Sequence, residues 1–284
     1  SGFREIKKAI DCNFNNQVLN NYTVKRKYFF FICQSLSGIV SEGGHEVMLF
    51  KREELQKLSI PTMDRVLEEL EEGNIEDAKK LCKIMKHEWL YLHDLIIENL
   101  GATIAFIVER LGEQAVYEMN REAMEKIWRQ AVETMVKTDP RKVVENITNT
   151  LRAHSCSGVG QYPAKFTVQE DEEKFTFIAD PCGSGGRMWR KGFFDPPRNY
   201  GYVTKAYPWS FGKKDFPYYC VHCSLMNELL PIEWIGYPIN PMEPPSKAQD
   251  PCIMYYYKDP HQIPAKYWER YNLKKSDYMP IKKD

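Results

Sequence analysis

The chain lacks a charge imbalance: 39 basic side chains meet 39 acidic ones over 284 residues. That balance argues against a nucleic-acid or anionic-membrane partner, because such binding shows as a basic excess or stripe. The two parts of the chain differ little, with 21 basic and 24 acidic side chains up to residue 150. An export signal is not expected either. The most signal-like stretch, Lys25-Arg26-Lys27 before Tyr28–Cys33, starts deep in the chain and is broken by Gln34, Ser35 and Ser37. It falls well short of the roughly 20 apolar residues needed to span a bilayer, so a buried element is expected there. Internal repeats and low-complexity segments are lacking as well.

Several catalytic signatures are missing. Gly183-Ser184-Gly185-Gly186 has neither the spacing of a dinucleotide fingerprint nor the Gly-Lys-Ser/Thr of a P-loop. Ser184 does not sit in a Gly-x-Ser-x-Gly elbow, which argues against a serine hydrolase of that kind. The paired Glu-x-x-His motifs of a di-iron bundle are absent, and the single Glu42 to His45 spacing is split by two glycines. Without a leader, the eight cysteines read as reduced thiols and ligands, which predicts a cytoplasmic protein.

What the chain does have is a concentration of sulfur. Half of its cysteines lie between Cys156 and Cys223, a stretch containing Asp180-Pro181-Cys182-Gly183-Ser184-Gly185-Gly186-Arg187 and closed by Cys220-Val221-His222-Cys223. Two cysteines three apart can ligate one ion, and thiolates with imidazole suit zinc or an iron–sulfur centre. We expect Cys182, Cys220 and Cys223 to hold zinc with His154 as preferred fourth ligand, Cys156, His222 and Cys252 being the other candidates. If one position stays open, a bound water becomes the nucleophile of a metal-dependent, hydrolytic enzyme acting on a small molecule. If all four are protein, the module is non-catalytic, binding or sensing metal.

An alternative uses Cys182, Cys220, Cys223 and Cys252 as the four thiolates of a 4Fe-4S cluster. Cys182 and Cys252 share an Asp-Pro-Cys context, although Asp-Pro is also a common turn opener. A thiol-redox reading stays open too, because Cys220-x-x-Cys223 precedes an apolar helical stretch; Cys223 is the candidate catalytic thiol. Histidine is the usual general base, which makes His93, inside a long helix, the second catalytic candidate, although a histidine on an apolar face is more often a core residue. Ser184 and Arg187 are candidate substrate contacts, the glycine loop offering backbone N–H groups and Arg187, Arg190 or Lys191 adding charge for a small anion.

Around these residues the pattern predicts an α+β protein, with a helical bundle (1–153) packed on a cysteine-rich domain (154–284) of mixed sheet and long proline-rich loops. Helices are expected near Arg4–Asp11, from Pro61-Thr62 to Gly73, from an Asn74 cap to Gly112, from Glu113 to about Met135, and after Asp139-Pro140. Leu81, Ile84, Met85, Trp89, Leu92, Ile96 and Leu100 form the expected stripe of the long helix, and Ile104, Ile107, Val108 and Leu111 continue it toward Gly112. Lys165–Val168 and Lys174–Ile178 read as a hairpin, Cys252–Tyr257 as a later strand, and the tail from His261 as a surface strap. Oligomeric state stays open, with a homo-oligomer allowed.

At Phe216–Cys223 and Asp250–Tyr257, the order of cysteine pair, small helix, proline-rich link, Asp-Pro-Cys and strand resembles the cysteine-bearing bacterial families around L-2-amino-thiazoline-4-carboxylate hydrolase. The resemblance covers about 40 residues. It implies a late cysteine on a closing strand and hydrolysis of a C–N bond in a small heterocyclic or amide-like substrate. Leu92-His93-Asp94-Leu95, Leu111-Gly112-Glu113 and the Asp180–Gly186 run also resemble uncharacterised bacterial proteins of two-part layout, which implies a shared fold and no activity.

Overall fold

The computed structural model describes residues 49–155 and 158–279. The helix expected near Arg4–Asp11 and the aromatic run at Tyr28–Cys33 lie outside them. By its internal contacts the chain divides after Pro61 into two compact units. In the first, the described element is α1 (Arg52–Leu58), whose Glu54 carboxylate accepts the Lys51 N–H at 2.7 Å. The second unit runs from Thr62 onward, so the change of character expected after residue 153 falls inside it.

That unit is α+β, with helices first and sheet after. Helix α2 (Thr62–Glu71) ends before Gly73, whose φ of 83° suits a residue without a Cβ. Asn74 precedes α3 (Ile75–Leu111), but its side chain does not cap the helix. Its amide instead donates to Glu69 and Glu72. The break expected only at Met135 comes earlier: α4 (Gln114–Ile127) and α5 (Arg129–Met135) are separated at Trp128, whose indole N–H reaches the Met226 carbonyl at 3.1 Å. Asp139 caps α6 (Pro140–Ser155) as its sequence implies, accepting the Arg141 N–H at 3.0 Å.

Helix α3 buries only part of the expected stripe, Leu81 and Ile104 among it. Ala78, Leu81, Ile97, Gly101 and Ile104 are buried, while Ile84, Trp89, Leu92, Ile96 and Leu100 are exposed. Around its middle the helix is apolar on more than one side, so spacing alone gives no single stripe, and the small residues decide where neighbours approach. At Gly101 the Tyr200 ring occupies the space a Cβ would need. Among the described residues α3 is the helix long and apolar enough to cross a bilayer by length and composition. Its buried side carries His93 and Asp94 into the protein.

The sheet follows the order β1 (Phe166–Glu170), β2 (Lys174–Ala179), β4 (Cys252–Tyr257), β3 (Met242–Glu243). The expected hairpin and late strand are present, and every pairing is antiparallel where a mixed sheet was expected. Register places Ala179 opposite Cys252, so the start of β4 lies beside the end of β2. Beyond β2 the chain turns through a cis Asp180–Pro181 bond into α7 (Gly185–Arg190).

A second helical run begins at the cysteine pair, with α8 (Val221–Ser224), a π-helical turn (Leu225–Leu229) and α9 (Leu230–Ile235). The tail is not the surface strap its composition suggested. Tyr267 and Trp268, in α10 (Lys266–Glu269), are fully buried and pack with Ile232, Tyr257, Ile263 and Tyr271. Burying one such aromatic side chain, about 200 Å², stabilises by ~5 kcal/mol before conformational entropy is subtracted.

Candidate metal centre

Three separate segments bring four cysteines together. Cys182 follows the end of β2, Cys252 opens β4 across the ladder from Ala179, and Cys220 and Cys223 flank the first turn of α8. Positions three apart share a helix face, so the pair points one way. Three of the thiols are influenced by neighbouring sulfurs, Cys220 by Cys223, Cys182 and Cys252, Cys252 by Cys182 and Cys223, and Cys182 by Cys223. All four are free thiols, and each residue retains some surface exposure.

The surroundings of each sulfur are unequal. Burial pushes the Cys182 thiol up, while the backbone N–H groups of Gly186, Ser184 and Gly185 act against it by hydrogen bonding to the sulfur. Burial and then the neighbouring sulfurs push Cys220 well above its ordinary value, and Cys252 shifts the same way with Lys213 opposing. Cys223 is pushed up to about 12 by burial and then by the Glu228 carboxylate. A thiol at that value is protonated at neutral pH and a poor nucleophile unless a metal ionises it. His222 turns Nδ1 to the Tyr219 carbonyl at 2.6 Å and Nε2 to the Cys223 sulfur at 3.4 Å, and burial holds its pKa down.

Glycine shapes the loop for sulfur. A Cβ on Gly185 would overlap the Cys220 Sγ and press on the Tyr219 ring, and one on Gly186 would crowd Pro181 and Cys182 at 3.3 and 3.4 Å. Gly185 therefore lies against one sulfur while its N–H serves another. Helix α7, six residues long, forms directly after Ser184.

Helix α3 supplies the wall beside this loop. His93 Nε2 lies 3.0 Å from Ser184 Oγ, and His93 Nδ1 lies 3.3 Å from Asp94 Oδ1. Asp94 accepts two bonds from Arg187, at 2.7 and 3.0 Å, and one from Lys191 at 3.0 Å. Burial works against ionisation of Asp94, but these cations hold its carboxyl below the usual range. Burial also lowers the His93 pKa, against Asp94 and with Arg187 and Lys191. Arg187 and Lys191 thus spend their charge on Asp94, and Arg190 pairs with Asp180 and with the Ala248 and Gln249 carbonyls. The free cationic cluster expected for a substrate anion is not formed; the buried Arg187 Nε has no hydrogen-bond partner among the described residues.

Of the expected site residues, the structure gathers Cys182, Cys220 and Cys223, and joins His93 to Ser184 and Arg187 to the same wall. His154 lies in the last turn of α6 with its side chain outside the described residues, and Cys156 lies outside them altogether. Cys252 takes the fourth place among the gathered thiols. Asp94, Tyr219 and Glu228 were missed. The Asp-Pro-Cys recurrence was the sequence signal for Cys252, and Leu-His-Asp-Leu on an apolar helix could have flagged Asp94 as costly to bury alone.

Among the described residues no group of three or more His, Cys, Asp or Glu side chains is arranged to hold a single metal ion. Zinc–sulfur bonds of about 2.3 Å require tetrahedral sulfurs only about 3.8 Å apart. A cubane binds each thiolate to a different iron, and so accepts a wider tetrahedron of sulfurs. Comparison with family models, with characterised proteins and with solved structures finds no match to this chain.

Proposed function

We propose that this chain carries an iron–sulfur cluster on Cys182, Cys220, Cys223 and Cys252, and that it performs redox chemistry with a small-molecule or protein electron partner in a reducing, cytoplasmic compartment. The observation that carries this reading is the meeting of four thiols from three segments at a loop whose backbone N–H groups face the Cys182 sulfur. N–H groups directed at sulfur are among the features that tune cluster potentials. Inert buried thiols behave as small hydrophobes and do not call for such donors. With all four ligands from protein, no position remains for a metal-bound water, so this centre transfers electrons rather than hydrolysing.

A zinc-dependent or metal-free hydrolase is the second reading, favoured by the 3.0 Å approach of His93 Nε2 to Ser184 Oγ, the distance of a base and its hydroxyl. The two readings separate on one preparation. Protein purified without oxygen and reconstituted with iron and sulfide should absorb broadly near 400 nm and hold about four irons per chain. One zinc per chain and no colour supports the second reading instead, as does hydrolysis of an amide-like heterocycle that Ser184→Ala abolishes.

A further inference from the structure

The outer side of α3 carries more apolar surface than a lone chain usually keeps. Eight large apolar side chains between Ile84 and Phe106 are exposed, Tyr91 at 72% and Leu95 at 56%. At about 100 Å² for a half-exposed large side chain, the strip offers on the order of 800 Å². That exceeds the few hundred Å² common on monomers and matches what one partner gives to a standard interface.

Within the strip, Ile84, Tyr91, Leu95, Ala102 and Phe106 follow one another at intervals of seven and four residues, which sets them along one line of the helix. At about 100° per residue, this line points away from the buried Ile97, Gly101 and Ile104. It lies about a quarter-turn from Ala78 and Leu81, where Val66 of α2 packs, so α2 leaves it open.

We infer that this line is the seam of a two-fold dimer, in which α3 packs antiparallel against α3 of a second copy with Leu95 at the centre. The inference does not depend on the chemistry of the sulfur site. Reversed about Leu95, the row complements itself. Ile84 and Phe106 lie about 17 Å to either side of the centre and meet across the pair. Glu88, whose carboxylate accepts the Thr62 hydroxyl at 2.8 Å, falls opposite Ala102, whose small side chain leaves it room. Lys80 and Glu109 are both exposed, stand within about 20° of each other round the helix, and lie about 22 Å to either side of the centre. Each lysine therefore faces the other copy's glutamate, at both ends of the pair. Arg110, stacked over Phe106 at 4.2 Å, is on the opposite edge and does not confront Lys80. Matching of a patch with its own copy is what a closed two-fold interface requires.

A lipid surface fits less well. The charged residues from Ile84 to Phe106 are Lys86, Glu88, Asp94 and Glu98, an acidic excess where an anionic bilayer wants basic flanks. Asp94 also ties the inner side of the helix to Arg187 and Lys191, so protein occupies that side.

Sedimentation equilibrium of the full chain in a reducing buffer tests the dimer. The wild type should associate in pairs that dissociate in about the micromolar range or below, as interfaces of this size do. Leu95→Glu sets two carboxylates together at the centre and should raise the dissociation constant about 30-fold or more, with the circular dichroism spectrum unchanged. Lys80→Glu and Glu109→Lys should each weaken the pair about two- to fivefold. Combined in one chain they should recover the wild-type affinity, because the exchange restores opposite charges in the antiparallel register. A wild type that stays monomeric to about 100 µM overturns the inference, and flotation of that monomer with vesicles of phosphatidylcholine and phosphatidylserine transfers the strip to lipid. A dimer indifferent to Leu95→Glu, or a charge-exchanged double variant weaker than both single ones, overturns the seam. If Leu95→Glu disturbs folding, the charge exchange decides alone.

Discussion

Two buried polar regions lie close together in this molecule and are built on different terms. Around Glu228, which is fully buried on the π-helical turn, every partner faces inward: the Met242 N–H donates to it at 2.6 Å, the Tyr271 hydroxyl at 2.7 Å, and Arg270 approaches at 3.3 Å. Around Cys182, Cys220, Cys223 and Cys252 there are four sulfurs, a row of backbone N–H groups and one neutral histidine. The first region closes on itself and ties α8, β3 and the tail into one body. The second gathers like groups that repel when ionised, an arrangement a cation or cluster resolves and a packed core does not need.

Removing the Glu228 carboxylate breaks the closed region most severely. Glu228→Ala strands Arg270 and the Met242 N–H and should cost about 3–5 kcal/mol in a chemical denaturation curve. Glu228→Gln sharpens the same point through pH. Burial raises the folded-state pKa of Glu228 to about 7 from 4.5, so the folded protein binds the extra proton between those values and its stability falls as pH rises through that window. Thermal midpoints measured at about pH 5 and pH 8 should drop for the wild type, by up to roughly 3 kcal/mol equivalent, and should change less in Glu228→Gln.

The sulfur region responds to shape rather than charge. Gly185→Ala places a methyl where the Cys220 sulfur lies, and overpacking of this kind costs about 1–3 kcal/mol. It should lower bound iron in the same preparation, whereas Glu228→Gln should leave iron content intact. On the wall between the regions, Asp94→Asn leaves the buried Arg187 guanidinium short of a countercharge while keeping one acceptor, with an expected loss of about 1–2 kcal/mol in thermal unfolding. Smallest of all is Leu95→Gln on the exposed side of α3, expected within about 0.5 kcal/mol for the isolated chain.

These contrasts explain what could be read from the residues alone. Boundaries written by glycine, proline and cap residues were legible, as at Gly73, Gly112 and Asp139-Pro140, because local backbone chemistry sets them. The hairpin and β4 were legible from alternation. The buried face of α3 was legible only in part: Leu81 and Ile104 stand in the stripe and are buried, but Leu92, Ile96 and Leu100 satisfy the same spacing and are exposed while Ile97 is buried, and the choice is made by where Tyr200 and the glycine loop approach. The tail misled because Lys266, Arg270 and Lys275 dominate its composition while Tyr267, Trp268 and Tyr271 do its packing.

At the site, Cys220 and Cys223 announced themselves by spacing. Cys252 joined them only through the β2–β4 register, a long-range fact with no local signature beyond Asp-Pro-Cys. His93 was placed beside Ser184 by the packing of α3 on the loop, 91 residues apart in sequence. Pairings at that separation are set by tertiary contacts rather than by propensity.

The most direct measurement is the metal and sulfide content of the anaerobically reconstituted chain beside its Cys252→Ser variant. The cluster account predicts about four irons with matching sulfide in the wild type and loss of most of both in Cys252→Ser, because one corner of the cubane is left without its thiolate. A Cys252→Ser protein that keeps its full metal content, or a wild type that binds a single zinc and no iron, would contradict it.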